Sequence, residues 1–206
     1  MYIPEYFRIT DRKIIIDFIK KHSFGILAVI SSDDVDAVHI PFLVDEYKEN
    51  FKLWGHLAEG NMIIENSTNM RGLAIFQGPD AYISPAYYKY KSVPTWDYMT
   101  VHVHGTLKFT DFNENTEKIK KLIKFFEPDS PIPDNLSEKP YFPMLRQIKG
   151  FYLIPDKIEC AFKLGQNHPI EDQMGVLNAL TKNENLKEMT DLMEKNISIY
   201  KKNMFK

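Results

Sequence analysis

The stretch Phe76–Gly105, FQGPDAYISPAYYKYKSVPTWDYMTVHVHG, decides how the chain is read. Its first residues close an apolar strand at Phe76–Gln77, Gly78–Pro79 is expected to turn the chain, and a strand resumes at Met99. Between them come Tyr82, Tyr87, Tyr88, Tyr90, Trp96 and Tyr98, more aromatic surface than a connection needs. Loops on a rigid scaffold concentrate binding residues, and flat ring systems favour aromatic walls. The excursion is therefore expected to wall a planar ligand or meet a partner; the bland alternative is a plug folded onto its own scaffold.

Working outward, the flanking segments read as short strands with helices between them. Thr10 is expected to cap a helix over 11–21, with Ile14, Ile15, Phe18 and Ile19 on one side. FGILAVI (24–30) is a buried strand, and 35–44 a second one, with Val38, Ile40, Phe42 and Val44 on its core face. Pro41 lacks an N–H, which places that strand at an edge or gives it a bulge, and turns His39 outward. FKLWGHL (51–57) is a third strand that hands over through Ala58-Glu59-Gly60-Asn61 to a short helix at 62–66. Unpaired backbone N–H groups at such a junction suit an anion, above all a phosphate.

Strands over 72–77 and 99–109 follow, then a helix over 116–127 stopped by Pro128. An irregular crossover carries four prolines between 129 and 143. A hairpin is expected at 150–154 and 157–164, turning at Pro155-Asp156, before helices from Pro169 and over 186–200. Mainly antiparallel strands at this spacing, without βαβ alternation, predict an α+β protein with a small closed or half-closed barrel.

Composition removes several function classes. A chain of 206 residues with 44% hydrophobic and 26% charged residues can bury a core without disulfides or a structural metal. Its single cysteine, Cys160, excludes an internal disulfide framework and fits a buried, inert thiol in a reducing cytoplasm. No apolar run reaches membrane-span length, and MYIPEYFRIT has no signal-peptide pattern. A formal net charge of −2 with mixed signs announces no basic nucleic-acid face.

Catalytic motifs are absent. There is no P-loop, no Rossmann glycine pattern and no nucleophile elbow, and Ser84 reads as a turn serine. His39, His56, His102 and His104 all fall on strands. Without convergent thiolates or carboxylates they suit ligand hydrogen bonding or an interface better than a metal.

Six blocks carry a resemblance: MYIPEYF (1–7), HIPF (39–42), GHLAEGN (55–61), FQGPDAYIS (76–84), VPTWDYMTVHVHG (93–105) and KLGQN (163–167). In this order they resemble the PaiB-like FMN-binding negative transcriptional regulators. The resemblance implies an FMN-binding split β-barrel over residues 1–167, with flanking helices and a helical extension over 168–206 packed on it. It also implies a cytoplasmic homodimer with the flavin at the subunit interface. His39, Ile40, Pro41 and Phe42 would then line the flavin. His56, Ala58 and Asn61 would approach its phosphate or ribityl chain, and Gln77 its polar end. Trp96, Tyr98 and His102 would add a wall, and Lys163, Gln166 and Asn167 would close the site from the other subunit. Related oxidases grip the phosphate with Arg and Lys where this chain offers His39, His56 and Asn61, which implies weaker flavin binding. Regulation would reach DNA directly or indirectly. The alternatives are a flavin-dependent oxidoreductase, with Trp96, Tyr98 or His102 orienting a reducible substrate, and a groove for another planar cofactor such as haem.

Overall fold

The computed structural model describes residues 1–30, 35–48, 50–61, 63 and 70–204, with side chains through Ile199. The expected helix at 62–66 lies outside the described residues apart from Ile63. Among the described residues there are seven strands: β1 (Phe24–Ile30), β2 (Val35–Pro41), β3 (Leu43–Tyr47), β4 (Asn50–Ala58), β5 (Arg71–Ile83), β6 (Thr95–Phe109) and β7 (Ile148–Lys163). The helices are α1 (Arg12–Lys21), α2 (Phe112–Phe126), α3 (Tyr141–Leu145), α4 (Ile170–Leu180) and α5 (Lys187–Met204). No described helix is long and apolar enough to cross a membrane.

The strands form one sheet in the order β2-β1-β5-β6-β7-β4-β3, with antiparallel pairing along its ladders. The α+β class and the antiparallel character hold. The expected split barrel does not, because the sheet is open, with β2 and β3 as its two ends. The chain passes from one end strand to the other through Phe42, and there the donors for closure are missing. Pro41 has none, and the Phe42 N–H is given to the Ser23 carbonyl at 2.8 Å.

Two other differences also turn on prolines. The expected turn at Gly78–Pro79 is strand, because the β1–β5 ladder ends at Ile75 and Pro79 owes β1 no N–H. The expected hairpin at Pro155-Asp156 is likewise one continuous strand. Pro155 lies beyond Leu153, where the β4–β7 ladder stops. Helix starts differ too. Asp11, not Thr10, accepts the Ile14 N–H at 3.1 Å, and Asp111 caps α2 through the Glu114 N–H at 2.8 Å, so that α2 begins at Phe112, four residues before the predicted start.

The chain divides into two compact units. One comprises Met1–Phe18, Gln77–Val101 and Glu159–Lys206; the other comprises Ile19–Phe76 and His102–Ile158. In the second unit one sheet face buries an aromatic core. Phe42 meets Phe76 edge-on at 5.3 Å and Phe151 at 6.4 Å, with Leu27, Leu53 and Leu153 fully enclosed. On the other face Trp54 and Tyr152 pack against Ile119 and Leu122 of α2 and Leu145 of α3. Lys118 of α2 fixes that contact by pairing with Asp45, which also accepts the Tyr152 hydroxyl at 3.2 Å. Burial raises the Asp45 pKa, but the Lys118 hydrogen bond and charge outweigh it and hold the carboxyl below its usual range. In the first unit Ile3, Phe7 and Ala161 form a small core with Tyr98 against it, Phe18 lies 5.1 Å from Phe162, and α4 packs on α5.

Candidate functional site

In the second unit, β2 carries His39 outward, opposite Ile26 in the ladder, with its ring stacked on Phe24 at 6.4 Å. Its neighbour Ile40 is buried, Pro41 half-buried and Phe42 only 1% exposed, its ring committed to the aromatic core. On β4, His56 is half-buried beside Trp54, ring centres 5.6 Å apart, and its Nδ1 meets no hydrogen-bond partner among the described residues. Burial lowers its pKa, so the ring is neutral at physiological pH.

Beyond Ala58 the chain turns. The Asn61 N–H returns to the Ala58 carbonyl at 2.9 Å, and the Glu59 N–H is given to Gln147 at 2.8 Å. Asn61 Oδ1 accepts the Ile63 N–H at 3.0 Å. A side chain at Gly60 would meet nothing within 4 Å, so the backbone there is open to an incoming group. Two of the turn's backbone donors are thus already given to carbonyls, Gly60 stays approachable, and no Lys or Arg stands between Gly55 and Asn61. His102 is half-buried on β6.

In the first unit the predicted residues take different positions. Trp96 is 56% exposed and meets Tyr82 edge-on at 5.9 Å. Both Trp96 and Tyr98 belong to β6, not to the loop, and Tyr98 turns toward Ile3, Phe7 and Ala161. Gln77 is exposed and donates to Asp80 at 3.1 Å. The Lys163 ammonium donates to Thr95 Oγ1 at 2.7 Å, to the Trp96 carbonyl, and to Asp97 Oδ1 at 3.2 Å. Gln166 folds back on its own backbone, donating to Phe162 and accepting from Leu164, while Asn167 is exposed.

Three residues of this neighbourhood escaped sequence reasoning. Asp97 is 2% exposed; burial raises its pKa against the opposing charges of Lys163 and His168. Asp172 of α4, equally buried, accepts the Lys89 and Tyr90 N–H groups at 2.7 and 3.2 Å. Gly175 lets α4 approach, since a Cβ there would stand 2.1 Å from the Tyr87 carbonyl. With Tyr88 stacked on His168 at 4.8 Å, the aromatic excursion over 84–94 is clasped by α4 and the residues before it. A glycine inside an amphipathic helix was the available signal for that close approach.

The family model described as "Putative FMN-binding domain" matches residues 1–155. Over 202 residues the chain is 34% identical to the protease synthase and sporulation protein PAI 2 of Bacillus subtilis, covering 94% of this chain and 97% of that one. Among solved structures it is similar to a conserved hypothetical protein of Mycobacterium tuberculosis (TM-score 0.61, 12% identity, 82% of this chain and 94% of the other). It is also similar to an FAD and heme binding protein of Mycobacterium smegmatis (TM-score 0.58, 13% identity, 76% and 73%). At such identities the two structures speak for the fold alone.

Proposed function

This chain belongs to the PaiB-like family of FMN-binding domains, and from that premise we propose that it works as an FMN-binding, homodimeric negative regulator of transcription. The family match over residues 1–155 carries the proposal. FMN is the cofactor it assigns, and bound flavin would supply a redox-sensitive planar ligand. The protein's part is to hold it.

The 58–61 turn, with its open Gly60 and the Asn61 amide, receives the phosphate, and neutral His56 offers a further hydrogen bond nearby. His39, Ile40, Pro41 and Phe42 form the strand that lines the flavin. Gln77, Trp96, Tyr98 and His102 are its further contacts, and Lys163, Gln166 and Asn167 close the site from a second copy. Because no Lys or Arg stands in the 55–61 segment, the phosphate charge is met by neutral donors and affinity is modest. Repression senses flavin or a metabolite and does not require catalysis; no acid–base pair has been assigned among the proposed contacts.

An absorbance scan of the purified protein, with mass identification of any released ligand, tests the cofactor. Gel retardation of promoter DNA at physiological salt, with and without FMN, tests the regulatory step. Sedimentation tests the dimer. Salt-insensitive or absent retardation in both states removes direct DNA binding, and bleaching of bound flavin by NADH or NADPH with turnover would transfer the protein to the oxidoreductases.

A further inference from the structure

FGILAVI, the sequence of β1, carries no polar side chain at any of its seven positions. That is the pattern of a strand buried on both sides, whereas a strand with one wet face alternates. In the structure only one side of β1 is buried. Leu27 and Val29 face inward at 0% and 2% exposure, while Phe24 and Ile30 on the outer side stand 67% and 69% exposed, with Ile26 and Ala28 half-buried between them. The ladders extend this outer face over both neighbouring strands, because directly paired residues project to the same side. Ile26 lies between His39 of β2 and Ile75 of β5, Ala28 lies between Ala37 and Leu73, and Ile30 pairs with Val35, itself 65% exposed. No charged side chain stands in these rows. Their single polar member is His39, its ring stacked on Phe24.

Over β4 and β7 the side of the sheet away from the aromatic core is covered by α2 and α3, packed on Trp54 and Tyr152. Over β1, β2 and β5 the largest side chains on that side are exposed. Three strands about 4.8 Å apart and seven residues rising about 3.4 Å each give this part an outline of roughly 300 Å². A contiguous apolar patch of a few hundred Å² marks an interaction surface. A dimer takes about 800 Å² from each copy, apolar at the centre and polar at the rim. The bare face has the composition of such a centre. Arg71, two residues before Leu73 and on the same side of β5, begins the rim with its exposed partner Asp156.

We propose that a second copy of this chain packs on the outer face of β1, β2 and β5, face to face about a two-fold axis. The inference rests on the homodimer proposed above and names the surface that joins the copies. In a two-fold interface a patch meets its own image, so any charge on it would oppose a like charge. This face sets none against itself. His39 stands inside the patch, so the partner covers the strand assigned to the flavin and shuts it from water. The flavin site is then complete only in the dimer.

The test is sedimentation velocity of the full chain at micromolar concentration, wild type against the double variant Ala28→Glu, Ile30→Glu. Both carboxylates reach water in a single copy but are buried against like charges in the dimer. Wild type should sediment as a dimer. The double variant should sediment as a monomer that is folded by circular dichroism, its association weakened at least hundredfold, since opposed like charges cost several kcal/mol. A folded variant that stays dimeric overturns the proposal and leaves the homodimer standing on another surface. A monomeric wild type overturns both; its co-sedimentation with phosphatidylcholine vesicles would then give the face to a lipid surface. If the double variant does not fold, a nitroxide on Ile30→Cys decides, because the native thiol Cys160 is buried and does not compete for the label. Sheets packed about 10 Å apart should bring the two labels, with their arms, within roughly 30 Å of each other. A dimer without dipolar coupling between its labels overturns the proposal.

Discussion

His56 on β4 and Gly150 on β7 face each other across an antiparallel ladder, an imidazole opposite a residue with no side chain. The missing side chain has two effects. Asn115 approaches from α2 and Thr110 from the link between β6 and α2, and the His56 ring remains among poorly satisfied polar atoms next to Trp54. A β-branched residue at 150 would suit strand propensity better, so glycine there is explained by what crowds around it.

Gly150→Ala should therefore destabilise the chain. Contacts of 2.4 and 2.5 Å force Asn115 and Thr110 to shift, an overpacking cost of about 1–3 kcal/mol. Adding Asn115→Ala to Gly150→Ala should cost less than Asn115→Ala does alone, because the methyl then has room. Urea denaturation of the single and double variants measures the coupling; strict additivity would mean that the side chains do not meet.

The neutral state of His56 sets a pH dependence. Burial lowers its folded pKa below the unfolded value of 6.5. Above 6.5 both states are neutral and His56 contributes nothing to the slope. As pH falls from 6.5 toward the folded value, the unfolded state binds the proton first, and stability declines by up to about 1.4 kcal/mol per pH unit. His56→Gln should flatten this part of the curve. Equal slopes in wild type and variant between pH 6.5 and 5, by chemical denaturation, would show that the ring titrates normally.

The strands and their faces were legible because period-two burial is written into Phe51, Leu53 and Leu57, and because Cys160 sits in an alternating run. That thiol is buried, its pKa pushed up to about 12 by burial, as its pattern indicated. What the pattern could not carry was continuity and closure. Proline at 79 and 155 reads as a turn locally, yet each stands where the neighbouring ladder has ended and no N–H is needed. Closure depends on whether two distant end strands have donors left for each other, a property of Pro41 and Phe42 in context. At the site, the 58–61 turn was visible from its glycine and its capping asparagine. The clasp of Asp172 on residues 89–90 was not, because it joins positions 83 and 82 apart in sequence and only the fold brings them together.

Exposure separates the two tryptophans. Trp54 is fully buried, whereas Trp96 is 56% exposed beside Tyr82. If Trp96 faces the flavin ring, Trp96→Ala should lower FMN affinity about tenfold, near the upper end of what an aromatic pair contributes. Trp96→Phe should recover most of it. Flavin fluorescence quenching gives both constants, and Trp54 remains as an internal reporter of folding. Unchanged affinity in Trp96→Ala would remove this residue from the flavin wall.

Lys163 and Asp97 make an unequally buried pair in the first unit. The Asp97 side chain is 3% exposed and that of Lys163 20%, so loss of either partner has unequal consequences. Asp97→Asn leaves the ammonium with Thr95 Oγ1 and the Trp96 carbonyl, and should be tolerated comparatively well. Lys163→Met strands a buried carboxylate, which costs about 3–5 kcal/mol. The sign of the pH dependence follows from Asp97 itself. Burial raises its folded pKa above 3.8 in spite of Lys163, so the folded state holds the proton longer than the unfolded state. Its contribution is fully present below 3.8 and is lost as pH rises through the folded value. Lys163→Met removes the opposing charge and raises that pKa further, so its penalty should grow as pH increases from 4 toward 7. Asp97→Asn should abolish this trend. Chemical denaturation of the three proteins across that range decides the matter: a Lys163→Met penalty independent of pH would mean that Asp97 stays ionised without its partner.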